Sequence, residues 1–206
     1  MVRRTKADAL ATKADLLDAA ERLFSAQGVA NTSMMQVAEA AGVTRGAIYH
    51  HFDNKLDLID SMMERVSLPF DQMLEQTSQR HVDNPLALLR ARLLNIVELL
   101  QRDPHTQSVI NILFHKCEYV DETLPIHFRH LRARNNCIEE CILLMQQAID
   151  HGQLPKTTNA AKLVVCLVAM IDGIIYNWLL DPDYFNVVEV AEQALDTFMA
   201  GLQQPA

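Results

Sequence analysis

Between Thr44 and Lys55 the chain reads Thr-Arg-Gly-Ala-Ile-Tyr-His-His-Phe-Asp-Asn-Lys, with polar donors and apolar residues interleaved at helical spacing. Ile48 and Phe52, one turn apart, can anchor the inner face of a short helix. Thr44, Arg45, Gly46, Tyr49, His50, His51 and Lys55 are left for the outward face and the helix ends. The Thr44 hydroxyl and the free amides at the helix start can hydrogen-bond a phosphate, and Arg45 can reach either guanine O6/N7 or a phosphate. Tyr49 carries a hydroxyl on a rigid ring. His50 and His51 offer imidazole hydrogen bonds near neutral pH, with stronger attraction to phosphate when protonated. Lys55 opens the next helix as a short-range phosphate clamp. Taken singly, each of these is an ordinary surface residue; taken as an ordered set, they are what a helix that reads nucleic acid needs.

A second set of polar residues lies inside otherwise apolar helices further along. Asn111 and His115 stand four residues apart, with Cys117 and Glu118 close by in sequence. Cys137, Ile138 and Cys141 follow on a later helix, and Asp172, Ile175 and Trp178 on the one after it, while Leu93, Val97 and Phe114 supply apolar area. Such a lining can orient a flat, mostly hydrophobic molecule through a few hydrogen bonds. The plainer alternative is that Asn111 and His115 satisfy nearby backbone groups within an ordinary core.

Two rival chemistries draw on the same region. His127 and His130, with Cys137 and Cys141, have spacings that could hold a soft metal, which would make the chain a metal-responsive regulator. His115, Glu118 and Asp172 could serve as acid and base, but no nucleophile-base-orienter arrangement and no phosphate-binding loop accompanies them. Neither a catalytic site, nor a metal, nor a cofactor is therefore expected.

The elements that must position these residues are helical. Leu16, Leu17, Ala20, Leu23 and Phe24 recur at three and four residues up to Gly28, a helix with a stop. Asn31-Thr32-Ser33 offers caps for a short helix ending at Gly42, and Thr44 caps the next. Gly42 can take the positive φ of a tight turn, while Ala38 and Ala41 let the two helices approach, as in a helix-turn-helix. A longer fourth helix starts near Lys55, with Pro69 able to kink it instead of ending it. Asp83-Asn84-Pro85 and Asp103-Pro104 each open a further helix. Helices over Pro125–His151, Thr158–Leu180 and Val187–Leu202 complete an all-α chain of about nine helices. The expected division is a DNA-binding domain over residues 1–56 and a ligand-binding and dimerisation domain over 57–206. The last two helices are apolar on more than one face, which predicts a two-fold homodimer built from them.

The net charge of −8 rules out a general positive field as the route to nucleic acid. The partition is more telling: residues 1–57 carry seven Lys/Arg against seven acids, and all excess negative charge lies beyond them. Arg3, Arg4, Lys6 and Asp8 lead into a charged amphipathic segment where a secretory signal would have an apolar run. No uninterrupted apolar stretch reaches the length needed to span a membrane. A cytoplasmic protein with no membrane partner is expected, and its four cysteines, Cys117, Cys137, Cys141 and Cys166, are expected to be reduced and in the core.

Residues 12–58, TKADLLDAAERLFSAQGVANTSMMQVAEAAGVTRGAIYHHFDNKLDL, resemble the DNA-binding segment of the TetR family of transcriptional regulators, and VTRGAIYHHFDNKLDL is highly specific as an ordered string. The similarity extends to the family's AcrR-like branch of multidrug-efflux repressors through NILFHKCEYVDE at 111–122 and MIDGIIYNWLLDPDYF at 170–185. The resemblance implies a homodimer that binds a palindromic double-stranded operator, represses transcription, and leaves DNA when a hydrophobic small molecule binds behind it. It implies phosphate or operator contacts for Thr44, Tyr49, His51 and Lys55, base reading for Arg45, and drug contacts for Asn111, His115, Cys137, Asp172 and Ile175. One departure is His50, where relatives often have tryptophan; this puts the family's operator preference in question while leaving the scaffold intact.

Overall fold

Side-chain caps set where the helices begin. Ser33 Oγ accepts from the Gln36 amide at 3.3 Å while Gln36 Oε1 accepts from the Ser33 amide at 2.8 Å, a reciprocal capping box. Thr44 Oγ1 accepts from the Ala47 amide at 3.3 Å, Asn84 Oδ1 from Ala87 at 3.0 Å, and Asn159 Oδ1 from Lys162 at 3.0 Å. Each such cap is worth about 1 kcal/mol. The turns between the first three helices use Gly28 and Gly42 at φ +84° and +68°, a region other residues enter only with strain.

The computed structural model describes residues 6–78, 83–119 and 123–202, with side chains except at 6–7 and 67–78. Arg3 and Arg4, and 120–122 of the segment quoted above, lie outside these. The described chain is all-α: α1 Lys6–Gln27, α2 Met34–Ala40, α3 Arg45–His51, α4 Lys55–Ser78, α5 Pro85–Arg102, α6 Pro104–Asn111, α7 Leu124–Asp150, α8 Ala160–Leu180 and α9 Val187–Leu202. α4 continues through Pro69. Where one helix was expected from Pro104 towards Glu118, α6 gives way to a π-helical turn at Ile112–Lys116.

The chain forms two compact units, Met1–Leu68 with His105–Arg129, and Pro69–Pro104 with His130–Ala206. In the first, Leu16, Ala20 and Phe24 of α1 meet Val37, Ile48, Phe52, Leu58, Met62, Ile112 and Ile126 in one core. Ile48 and Phe52 are almost completely buried, so the inner face of α3 is the one expected. In the second unit α5, α8 and α9 pack against one another. Leu93, Val97, Cys141, Met145, Val164, Leu167 and Leu195 are among its buried residues, and Trp178 Nε1 donates to the Pro182 carbonyl at 3.1 Å.

Two expectations need correction. By length and composition α8, 21 residues, is apolar enough to cross a membrane, because Lys162 and Asp172 interrupt it too sparsely to disqualify it. It buries Val164, Leu167, Val168, Ile171, Ile175, Trp178 and Leu179 within the second unit, as a core helix does. All four cysteines are free thiols, but Cys166 is exposed, since it falls on the side of α8 turned away from that core.

Candidate nucleic-acid interface and effector site

With Ile48 and Phe52 committed to the core, α3 turns Arg45, Gly46, Tyr49 and His50 outward, all of them exposed. Thr44 is exposed as the N-cap of this helix; His51 and Lys55 are half-buried. The Arg45 guanidinium lies over the Tyr49 ring, 5.8 Å from its centroid, an arrangement that limits the freedom of both before any partner arrives. Arg45, Tyr49 and Lys55 line one open groove of about 480 Å³ with Ala30, Asn31, Thr32, Ser33, Met34 and Met35. The opposite wall, residues 30–35, was readable from sequence only as a cap, although its run of Asn, Thr and Ser carries donors of the kind a phosphate backbone accepts. Lys55 is less free than its sequence position implies: its Nζ donates to the Val29 carbonyl at 3.0 Å, leaving two of its three protons for a partner.

A charged cluster joins three helices of the first unit. Arg65 of α4 donates to Asp18 Oδ1 of α1 at 2.6 Å and to His105 Nε2 of α6 at 2.7 Å. With Nε2 accepting, His105 carries its proton on Nδ1 and gives it to Glu21 Oε2 at 2.9 Å. Glu21 is buried, and Arg65 Nη1 stands 3.5 Å from its second oxygen. A further ion pair, Arg129 Nη1 to Asp60 Oδ1 at 2.9 Å, ties the start of α7 to α4.

The expected effector residues divide between the units. Asn111, Phe114 and His115, half-buried, and Glu118, exposed, belong to the first, at or beside the π turn. Leu93, Val97, Cys137, Ile138, Cys141, Asp172, Ile175 and Trp178 belong to the second, where Leu93, Val97, Cys141, Ile175 and Trp178 are buried. There Cys137, Cys141 and Asp172 share a polar focus with Arg92, which is absent from the residues predicted above. Arg92 is 5% exposed; it pairs with Glu140, and its Nε finds no acceptor among the described residues. A buried guanidinium with donor capacity to spare is suited to a polar group on an otherwise apolar ligand. Burial pushes the Asp172 carboxyl up from its ordinary value, against the pull of Arg134.

The model of bacterial regulatory proteins of the TetR family matches residues 16–62, and that of the MAATS-type transcriptional repressor C-terminal region matches 84–204. The chain belongs to the TetR family. The HTH-type transcriptional regulator TtgR of Pseudomonas putida is 37% identical over 197 residues, 96% of this chain and 94% of that one. NalD, described as the secondary repressor of the MexAB-OprM multidrug efflux pump in Pseudomonas aeruginosa, superposes with a TM-score of 0.77 at 34% identity, covering 96% of this chain and 98% of its own. SmeT, the repressor of the Stenotrophomonas maltophilia efflux pump SmeDEF, in its complex with triclosan, gives 0.79 at 29% identity over 93% and 91% of the two chains.

As a TetR-family repressor the protein is a transcriptional regulator and not an enzyme, in keeping with the two matched models. Among the described residues, His127, His130, Cys137 and Cys141 do not form a cluster of metal-ligand side chains. Among the described residues the convergent trio of ligand-type side chains is Asp18, Glu21 and His105, with donor atoms within 4.8 Å of one another, and the Arg65 guanidinium already supplies the positive charge there. His127 packs its ring 4.8 Å from that of Tyr119 in the first unit, whereas Cys137 and Cys141 pair with each other in the second.

The thiol pair of this TetR-family protein has a measurable consequence. The hydrogen bond from Cys141 lowers the Cys137 thiol from its ordinary value, opposed by burial and Asp172 and aided by Arg92. The same bond, together with burial, raises Cys141. Iodoacetamide followed by peptide mass spectrometry is expected to label Cys137 ahead of Cys141 as the pH is raised, because the shared hydrogen bond lowers the first thiol and raises the second. Equal labelling of the two thiols would contradict this assignment.

Proposed function

We propose that this TetR-family repressor controls a multidrug-efflux operon in the cytoplasm as a homodimer on a palindromic operator, and that a hydrophobic small molecule releases it from DNA. The observation that carries the reading is the 34% identity with the efflux-pump repressor NalD across 96% of this chain, which takes in both the helix-turn-helix segment and the C-terminal helices. Residues 1–56 act as the DNA-binding domain and 57–206 as the sensing and dimerising domain. Thr44, Gly46, Tyr49, His50, His51 and Lys55 surround Arg45 on the DNA-facing side, with Arg45 reading a base edge.

Dimerisation uses the last two helices. α8 buries one side in its own unit and leaves Ala161, Val165, Ala169, Tyr176 and Leu180 exposed along another, with Val190 exposed on α9. A second copy covering this stripe offsets the cost of its exposure to water. The proposed effector contacts are, in the second unit, Leu93, Val97, Ile138, Ile175 and Trp178 with Cys137, Cys141 and Asp172 orienting and Arg92 added from the geometry, and, in the first unit, Phe114 with Asn111, His115 and Glu118. The effector releases DNA only by favouring a packing that binds DNA poorly, and α4, shared by both units, is the element placed to carry that change.

The test is a release titration. A duplex is first selected by the purified protein from a randomised library, and triclosan and a panel of hydrophobic antibiotics are then titrated against the labelled complex. The expected result is loss of anisotropy with at least one compound, accompanied by a change in fluorescence from Trp178, the chain's single tryptophan. A compound that changes Trp178 fluorescence without releasing DNA, or a complex indifferent to the whole panel, overturns the effector reading.

A further inference from the structure

Resting on the DNA-binding reading above, we infer that Tyr119 and the π turn at Ile112–Lys116 position the DNA-facing groove through Val29. The segment formed by α6 and the π turn is laid along α1 and the turn that follows it by three polar contacts. His105 Nδ1 donates to Glu21 Oε2 at 2.9 Å, the Ser108 and Ser25 hydroxyls meet at 3.3 Å, and the Val29 amide donates to the Lys116 carbonyl at 3.0 Å. The third contact falls on the turn between α1 and α2, at the wall of the groove. Gly28 supplies the left-handed backbone, φ +84°, that brings the Val29 amide to the Lys116 carbonyl; a Cβ there would make only an ordinary 3.5 Å contact with that oxygen, so the requirement for glycine is conformational.

Val29 is held from both sides. Its amide answers to the π turn, while its carbonyl accepts from Lys55 Nζ at 3.0 Å and from the Thr32 amide at 3.3 Å. Lys55 and Thr32 both line the groove with Arg45 and Tyr49. Movement of the Lys116 carbonyl therefore reaches two groove residues through one residue of chain.

The π turn is the kind of element that has two arrangements. Its i to i+5 pairing admits one residue more than an α turn, and such turns recur at functional positions. Here it is propped from outside: Tyr119 Oη donates to the Leu113 carbonyl at 2.8 Å. Burial raises the Tyr119 hydroxyl to about 12, so it remains a donor. Without this bond the α register competes, and a one-residue slip displaces the Lys116 carbonyl by about 1.5 Å along the axis. Phe114 and His115, proposed effector contacts, sit on the same turn, so an effector that favours one register acts on Val29 directly.

Tyr119→Phe removes the hydroxyl and keeps the ring. In the full-length protein, amide hydrogen exchange followed by NMR is expected to show the Val29 amide exchanging about three- to tenfold faster, the effect of losing one supporting hydrogen bond. Exchange in α8 should be unchanged, and affinity for the selected duplex should fall by a similar factor. Ser108→Ala, which cuts a different contact of the same seam, should move Val29 in the same direction. Unchanged Val29 exchange in both variants overturns the inference, as does weaker DNA binding with Val29 protection intact. If the protein selects no duplex at all, the DNA-binding reading fails, and the exchange of Val29 still decides whether Tyr119 governs this contact.

Discussion

Arg45→Ala is expected to weaken binding to the selected duplex by roughly fivefold to 150-fold, the equivalent of about 1–3 kcal/mol for loss of a bidentate base contact. The side chain is exposed and its recorded contact is the face of Tyr49, so circular dichroism and thermal melting should match the parent. Anisotropy at several salt concentrations separates the two roles open to a guanidinium at this position. A base-reading Arg45 loses discrimination against a substituted base pair in each half-site. A phosphate-binding Arg45 weakens all duplexes alike and reduces the salt slope by about one. The first pattern is expected, because under the proposed function Thr44 and the free amides at the start of α3 take the phosphate, and the Arg45 guanidinium lies over the Tyr49 ring. Equal affinity of variant and parent for every duplex would remove Arg45 from the interface.

The largest effect on stability is expected at Arg65. Arg65→Leu strips the buried Glu21 carboxylate, whose side chain is 7% exposed, of its cationic partner and leaves Asp18 and His105 without their common donor. Breaking a buried pair in this way costs about 3–5 kcal/mol; the Arg65 side chain is 26% exposed, which places the expectation near the lower figure, about 3 kcal/mol. Urea denaturation at fixed protein concentration should read this loss. Adding Glu21→Leu should recover most of it, because the penalty lies in the orphaned charge more than in the lost attraction. If the double variant is as unstable as the single, the cluster acts through Asp18 and His105 instead.

Much of the fold was legible in the sequence because its signals are local. Thr44 caps the helix it is expected to cap, Ser33 and Asn84 prove to be the capping residues within Asn31-Thr32-Ser33 and Asp83-Asn84-Pro85, and Ile48 and Phe52 occupy the inner face that their spacing implies. Thr158 was taken as the start of α8, but the side chain that caps it is that of Asn159. The exposed face of α3 followed once its buried face was fixed. What was not legible depends on contacts distant in sequence. The π turn leaves no periodic trace, and its prop, Tyr119, reads as an ordinary aromatic until the Leu113 carbonyl is seen to need a donor. Arg65, Glu21 and His105 look like members of solvated faces, since nothing local announces that α1, α4 and α6 bring them together. Arg92 is similar: one arginine in a helix of leucines resembles a surface charge, yet it is buried beside Cys137. The division of the effector residues between two compact units was likewise invisible, because it follows from α4 and α7 each contributing to both.

The most direct test of the account is the sequence content of the duplexes the purified protein selects. Two copies of α3 related by a two-fold axis must read the same half-site in opposite directions, one helical turn or a multiple of it apart on the same face of the duplex. Enrichment of an inverted repeat whose half-site centres are about 10 base pairs apart, or a multiple of that spacing, is the predicted result. Recovery of a single asymmetric site, or of no enriched sequence, would contradict it.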